Sequence, residues 1–524
     1  MRNFHFPGRS PSHARHGMAA TEHPLASLTA IDMLRRGGSA ADAVVAAAAV
    51  LAVVEPMATG VGGDAFCLVA NGDGVEGYNG SGRAPAGLSL KLFEGTGLKR
   101  IPVESPHVVT VPGAVDCWLS LLERHGKLDR ATVLAPAIAY AMEGFAVTQR
   151  VAHEWTIGRP KLAKNANAAA LFLPQDRPPR AGEMFRNPGL GQVLQNVARD
   201  GRAGFYEGWA AEDMVESLRA LGGTHTREDF AAHRGDWVTP IRSDYRGVEL
   251  FEIPPNGQGV TALLMLNILE NFTLREFPAL SAARFHLEAE ATRLAYQERD
   301  RIIADPARAK VDVAQFTDKA FAQKLAAGID MTRAGAPAAS TRTGDTTYLA
   351  VADASGLMVS FINSIYHGFG SGIASAKSGV LFHNRGHGFV LDPTHPNAPA
   401  GGKRPFHTII PAMARKEGRP WLAFGVMGGD YQAVGHAHVL TNLVDYGMDI
   451  QEAIDCPRGF LFNGEFALEQ GISESVKAEL AGLGHKIVAP PEPIGGGQGV
   501  MRDVAGQSWI GGSDPRKDGC ALGY

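Results

Sequence analysis

The sequence is poor in cysteine, with four in 524 residues, Cys67, Cys117, Cys456 and Cys520. No two form a CxxC pair, which excludes the usual zinc and dithiol motifs and fits free thiols in a reducing compartment. A charge excess is also lacking. The net charge is -4 and the Lys and Arg residues are scattered, so neither nucleic acid nor a membrane surface is an expected partner. Long apolar runs are scarce. The most apolar, "ADAVVAAAAVLAVVEP" (41–56), is too short and Ala-rich for a membrane span and reads as a buried helix. The first residues, "MRNFHFPGRSPSHARHGMAATEHP", carry no apolar core of the signal-peptide kind. A soluble, cytoplasmic protein is expected. Three catalytic signatures are missing as well: the GxxxxGK[ST] phosphate loop, the GxSxG elbow and the HExxH metal helix. "HNRGH" would pair His383 and His387 only if helical, and Gly386 argues against that. No metal and no cofactor are expected.

What is present is an ordinary globular balance, 45% apolar and 20% charged. "ASLTAIDMLRRGGSAADAVVAAAAVLAVVE" reads as two helices broken at Gly37-Gly38. "DAFCLVANGDGVEGYNGSG" reads as strand, turn, strand. The middle is mostly helical: "VPGAVDCWLSLLERHG", "LDRATVLAPAIAYAMEGFAV" and "SAARFHLEAEATRLAYQERDRIIADP" have apolar residues at helical spacing. From Thr346 strands take over, at "TTYLAVAD", "LMVSFINS", "GVLFH", "HTIIPAMAR", "PWLAFGV" and "QSWIGGSD", with a helix at "QAVGHAHVLTNLVDYG". A layered α/β (α+β) architecture is expected.

Glycines cluster at "GVGGDAF" (60–66), "GFGSG" (368–372), "GVMGGD" (425–430) and "GGGQG" (495–499). Each cluster is either a tight turn or a place where backbone N–H groups meet a developing anion. "GDTT" (344–347) ends a polar, breaker-rich run. By pattern alone it is a loop entering a strand. A threonine hydroxyl becomes a good nucleophile only beside a base, and the α-amine of a chain that starts at threonine can be that base.

"GDTTYLAVADASGLMVSFINSIYHGFGSGI" resembles the start of the small subunit in the γ-glutamyltranspeptidase family of N-terminal-nucleophile hydrolases. The likeness continues through "SGVLFHNRG", "GKRPFHTIIPAM", "GVMGGD", "DCPRGF" and "GGSDPRKDGCALGY". Upstream, "GMAATEHPLASLTAIDMLRRGGSAADAVVAAAAVLAVVEPMATGVGGDAF", "VTVPGAV" and "GFAVT" follow the family order. The resemblance implies a four-layer αββα sandwich. It implies a precursor that cuts itself between Asp345 and Thr346, giving large (1–345) and small (346–524) subunits that together form one intertwined domain. A dimer of such pairs is left open. Thr346 matches the nucleophile, its freed α-amine the base. Gly428 and Gly429 match the oxyanion pair, and Thr347 and Ser364 match supporting hydroxyls. The substrate would be a small-molecule amide, with water or an amine as acceptor.

The specificity positions depart from the family pattern. An arginine that holds the γ-glutamyl α-carboxylate is replaced in "SGRAP" by Ser81, with Arg83 two residues on. A serine pair is replaced by His407 and Thr408. The positions that meet the α-amine match Tyr366, Arg385 and Gly388. A guanidinium there repels an ammonium and suits a carboxylate with no amine beside it. The expected acyl group is therefore a simple carboxylic-acid-bearing one, of oxamate or glutaryl type. Arg83 and Arg385 in structural ion pairs are the alternative. The segment from His387 to Lys403 is shorter than in lidded relatives and is expected to be open. These departures are similar to those of cephalosporin-acylase-like proteins and oxamate amidohydrolases. A genuine γ-glutamyltransferase/glutathione hydrolase and a non-catalytic ligand-binding member stand as alternatives.

Overall fold

Side-chain alternation decides how this chain stacks its layers. Along the strand Asp345–Ala352, Tyr348, Ala350 and Ala352 point into one apolar cluster, and Leu349 and Val351 into another. A period of two with both faces apolar requires a partner layer on each side. The computed structural model describes residues 8–336, 344–503 and 505–524, so the polar run before Gly344 lies outside the described residues from 337 to 343.

One seven-stranded sheet has the spatial order Cys520–Gly523, Met18–Thr21, Asp345–Ala352, Met358–Tyr366, Asp64–Asn71, Gly74–Gly80, Asp236–Val238. A second runs Ser12–Ala14, Trp509–Ser513, Gly496–Arg502, Arg419–Met427, Ala412–Lys416, Val248–Glu252, Ile241–Tyr245. The pairings are antiparallel. Both sheets interleave strands from before and after residue 345, so neither part could keep its edges paired alone. Between the sheets lie Phe66, Leu68, Ile253, Tyr348, Met358, Ile362, Met413 and Val500.

The outer faces are covered by helices. Ala40–Val54 starts with a reciprocal Ser39–Asp42 capping box and is buried at all fifteen positions, as its Ala-rich sequence implies. It packs with Pro24–Arg35 against the first sheet. Gly259–Leu269, Ala282–Ile302 and Tyr431–Val444 cover the second. The order is helix, sheet, sheet, helix: the expected αββα sandwich. No helix among the described residues is long and apolar enough to cross a membrane.

Two expected strands are corrected. "GVLFH" contributes only an isolated bridge, Ala374 to Leu381, because Ser375 and Ser371 bind its backbone as a local loop. "HTIIPAMAR" is a strand only from Ala412 to Lys416. Pro411 brings no N–H, and the residues before it bond to side chains: Ile410 N–H donates to Gln432, and the Thr408 carbonyl accepts from Gln258. The segment 387–403, expected to be open, exposes Asp392, Pro393 and Thr394 and is also held by its own hydrogen bonds. Asn397 donates to the Gly388 carbonyl at 2.8 Å, and Lys403 donates to the carbonyls of Pro396 and Ala398.

The sheets approach closely at Gly425, where an added Cβ would lie 2.3 Å from the Tyr348 ring. Gly425→Ala is expected to overpack this contact and lower stability by ~1–3 kcal/mol. The readout is a lower denaturant midpoint at unchanged slope, and an unmoved midpoint would contradict the packing.

Candidate active site

Thr346 shares the alternation of Tyr348 and Ala350, so its side chain faces the space between the sheets. The ladder with Met358–Tyr366 slips by one residue between Asp345 and Thr347. Such a bulge re-aims side chains beside it. Here it sets the Thr346 hydroxyl 3.1 Å from Ser364 Oγ. Thr346 Oγ1 also lies 2.6 Å from the carbonyl oxygen of Asp345, and Ser364 Oγ lies 3.0 Å from that same oxygen. Two hydroxyls thus converge on one peptide carbonyl. Gln432 Nε2 reaches Thr346 Oγ1 at 3.4 Å. Thr346 is only 1 % exposed. Thr347 turns to the other face and donates to the Asn363 carbonyl.

Ser364 is further held by the Tyr366 N–H at 2.8 Å and by Arg385 Nη2 at 3.2 Å. Arg385 is fully buried in a one-turn helix, donates to Thr408 Oγ1 at 2.8 Å, and lies 4.1 Å over the Tyr366 ring. Tyr366 has φ 79°, a strained value for a non-glycine residue. Thr346, Ser364, Tyr366, Arg385 and Thr408 therefore form one connected group. Gly428 and Gly429 have φ values of 121° and 65° and precede the helix Tyr431–Val444. Their carbonyls accept N–H groups of its first turn. The positive end of a helix dipole lies at this point. Gly344 backs onto the same place: a Cβ there would be 3.1 Å from Gly429 Cα.

The remaining predicted residues go elsewhere. His407 Nε2 lies 3.0 Å from Asp64 Oδ2, and Asp64 also accepts the N–H groups of Gly82 and Gly113. Burial alone would raise the Asp64 carboxyl, but the imidazoles of His383 and His407 hold it well below the usual range. Burial, then the Arg385 charge, push His407 down to about 3. We read an ionised Asp64 facing a neutral His407. Ser81 is bonded to Asn79 and Asn256. Arg83 forms ion pairs with Asp236 and Asp305, 3.4 and 3.8 Å away, the structural alternative the sequence left open for it. Gln258 and Arg299 link Gly429 and Asp430 into a buried network, and Gln432 reaches Thr346; none carried a sequence signal, because single polar residues paired across distant segments have no motif. His383 and His387 face separate carbonyls, of Thr110 and Ile101. Among the described residues, His286, Glu290 and His485 bring donor atoms within 4.8 Å of one another. Glu290 there already binds Arg293 and the Gly335 N–H, and His286 the Asp330 carbonyl.

The model of the Gamma-glutamyltranspeptidase family matches residues 26–524. A glutathione hydrolase-like proenzyme of Bacillus subtilis is 38% identical over 519 residues, covering 97% of this chain and 98% of its own. An oxamate amidohydrolase proenzyme of Klebsiella pneumoniae is 36% identical over 526 residues, covering 97% and 98%. The crystal structure of a cephalosporin acylase from Bacillus halodurans superposes with a TM-score of 0.94 at 38% identity, covering 100% of this chain and 99% of that one. The chain belongs to the gamma-glutamyltranspeptidase family, has its N-terminal-nucleophile fold, and is a hydrolase among named hydrolases.

His407 sets a pH test. Its folded value of about 3 lies below the ~6.5 of an unfolded chain. Between those values the unfolded state binds a proton that the folded state refuses, so stability falls as pH drops from 7 towards 3. The depressed Asp64 adds a loss of the same sign below ~4. His407→Gln, which keeps a donor for Asp64, is expected to flatten the stability-against-pH slope at pH 4–5 by about one proton, or ~1.4 kcal/mol per pH unit. An unchanged slope in denaturant titrations would mean that His407 is charged.

Proposed function

We propose that this member of the family is an autoprocessed amidohydrolase that cleaves an amide through a Thr346 acyl-enzyme. The observation that carries the reading is the convergence of the Thr346 and Ser364 hydroxyls on the Asp345 carbonyl, within 2.6 and 3.0 Å. A hydroxyl that close to the preceding peptide can attack it, which severs the chain at Asp345–Thr346 and frees the α-amine of Thr346. The same hydroxyl, now with its own amine as base, attacks the substrate carbonyl. Gly428 and Gly429, at the positive end of the helix that follows, supply N–H groups for the oxyanion. Departure of Gly344, which backs onto Gly429, would open this place. The proenzyme names of the relatives support this sequence of events, with 1–345 and 346–524 as the two fragments.

Arg385 supports a substrate that carries its own carboxylate. Its guanidinium is two hydrogen bonds from the Thr346 hydroxyl, through Ser364. A carboxylate held there lies close along the acyl chain to the scissile carbonyl, so a short dicarboxylic monoamide of oxamate type fits best. An α-ammonium beside Arg385 would be repelled, which disfavours a γ-glutamyl donor. Water is the acceptor we assign, with transfer to an amine as the second outcome.

On purification the chain is expected to run as two fragments, the smaller starting at Thr346 by N-terminal sequencing. Thr346→Ala should stay intact and inactive. A wild-type protein that persists as one inactive chain would refute the reading. On a panel of amides, oxamate-type substrates should exceed a γ-glutamyl anilide. Arg385→Gln should raise KM for the carboxylate-bearing amide by ~10–100-fold, the worth of one charge-assisted hydrogen-bonded pair. Equal loss on an uncharged amide would remove Arg385 from substrate recognition.

A further inference from the structure

The residue before the junction stands in a charged cluster that the reading above leaves unused. Asp345 Oδ1 accepts the N–H of Thr346 at 3.0 Å, and that nitrogen belongs to the bond to be broken. Lys517 Nζ, from the last residues of the chain, lies 3.3 Å from the same oxygen, 2.6 Å from Glu154 and 3.7 Å from Glu22. Arg150 donates to Glu154 at 2.6 Å from the far side. Glu55, at the end of the buried Ala-rich helix, completes the group. Four carboxyls from four separate segments thus face Lys517 and Arg150, and Arg150 is shared further with Glu492, 3.3 Å away. All have little exposed surface: Glu22 is 1 % exposed, Glu55 2 % and Glu154 8 %, and the Asp345 side chain 17 %.

These carboxyls cannot all stay ionised there against two cations, one of them already engaged by Glu492. Burial, then the Glu154 charge, push the Asp345 carboxyl up to about 6, against the pull of Lys517. Burial also raises Glu22 and Glu55 well above the usual range. Glu154 is held down to about 2, its burial outweighed by Lys517 and Arg150. Below about pH 6 a protonated carboxyl therefore stands beside the scissile nitrogen: Oδ1 accepts the Thr346 N–H and the Lys517 ammonium, which leaves Oδ2 to carry the proton.

We propose that the Asp345 carboxyl is the acid that protonates the Thr346 nitrogen as their own peptide bond breaks, and that Lys517 and Glu154 hold it in place. This rests on the self-cleavage reading above. The step balances. Thr346 Oγ bonds to the Asp345 carbonyl carbon; its proton passes to Ser364 Oγ, and the Ser364 proton passes to the carbonyl oxygen, along the contacts of 3.1 and 3.0 Å. The nitrogen of this adduct is no longer an amide, and its lone pair takes the Asp345 Oδ2 proton as the carboxyl turns about its Cβ–Cγ bond. The C–N bond breaks, the carbonyl reforms, and its hydroxyl proton returns to the Asp345 carboxylate. The product is an ester on Thr346 with a free α-amine. Water then hydrolyses the ester to a new carboxylate and the Thr346 hydroxyl.

The test follows cleavage of full-length chain, made by cell-free synthesis and diluted into buffers from pH 5 to 8.5, on denaturing gels. Wild-type cleavage is expected to slow as pH rises through about 6. Asp345→Asn keeps the size and the acceptor oxygen but has no proton to give, and should slow cleavage ~100-fold. Asp345→Glu should restore most of the rate. Glu154→Gln removes the neighbouring negative charge and should move the pH midpoint down, which a merely structural role would not do. Asp345→Asn cleaving at the wild-type rate, with Thr346→Ala intact, would overturn this inference alone. Cleavage of Thr346→Ala would instead overturn the self-cleavage reading. If near-UV circular dichroism shows that Asp345→Asn does not fold, the wild-type profile and the Glu154→Gln shift decide. A rate independent of pH over this range overturns the proposal.

Discussion

The Ser364 hydroxyl on the Asp345 carbonyl is the contact around which the rest of the site is built. It exists because two neighbouring strands slip by one residue just where one of them begins. A regular ladder would have spent that carbonyl on a backbone N–H. The slip leaves it to two side-chain hydroxyls. An acceptor so placed inside a protein must find donors or cost ~1–3 kcal/mol. Here the donors are the two hydroxyls that the proposed cleavage would use, so on that proposal satisfying the buried backbone and arming the site are one requirement.

Around that carbonyl the charges are divided by side. Arg385 approaches Ser364 from the small helix 385–388, and Lys517 approaches Asp345 from the end of the chain. Neither cation belongs to the strand it serves. The αββα frame makes this geometry affordable. It anchors Asp345–Ala352 between strands on both sides, with helices and a second sheet covering both faces. The flanking irregular segments then only have to deliver side chains. Strands thus carry Thr346 and Ser364, and irregular segments bring Arg385 and Lys517 to them.

How much of this the sequence disclosed depends on the range of the interaction. Helix Ala40–Val54 was legible because its signal is local: small apolar residues after the Gly37-Gly38 break. Strands 345–352 and 358–366 were legible from their β-prone runs. "HTIIPAMAR" was over-read because Ile410 and Thr408 spend their backbone groups on Gln432 and Gln258, and no pattern announces a side chain as a strand's partner. Among the site residues, Thr346, Ser364, Arg385 and Thr408 do meet. His407, Ser81 and Arg83 do not join them, since Asp64, Asn256, Asp236 and Asp305 claim them first. Those competitors lie far away in sequence, and charge type alone could not rank them.

The same competition bears on substrate choice. Asp64 takes His407, and its neighbourhood keeps that imidazole neutral. Of the residues that replace the family's α-carboxylate clamp, one is thus uncharged and engaged, and Arg83 is paired with two acids. What remains in reach of Thr346 is the guanidinium of Arg385, stacked on Tyr366 and bonded to two hydroxyls. If Thr346 is the nucleophile we propose, the buried guanidinium beside it would select for a charge placed close to the bond that breaks. It gains nothing from an amine farther along the chain, because the ion it would meet has the same sign. On the proposed function, selectivity would rest as much on the repulsion of γ-glutamyl groups as on attraction of a short diacid.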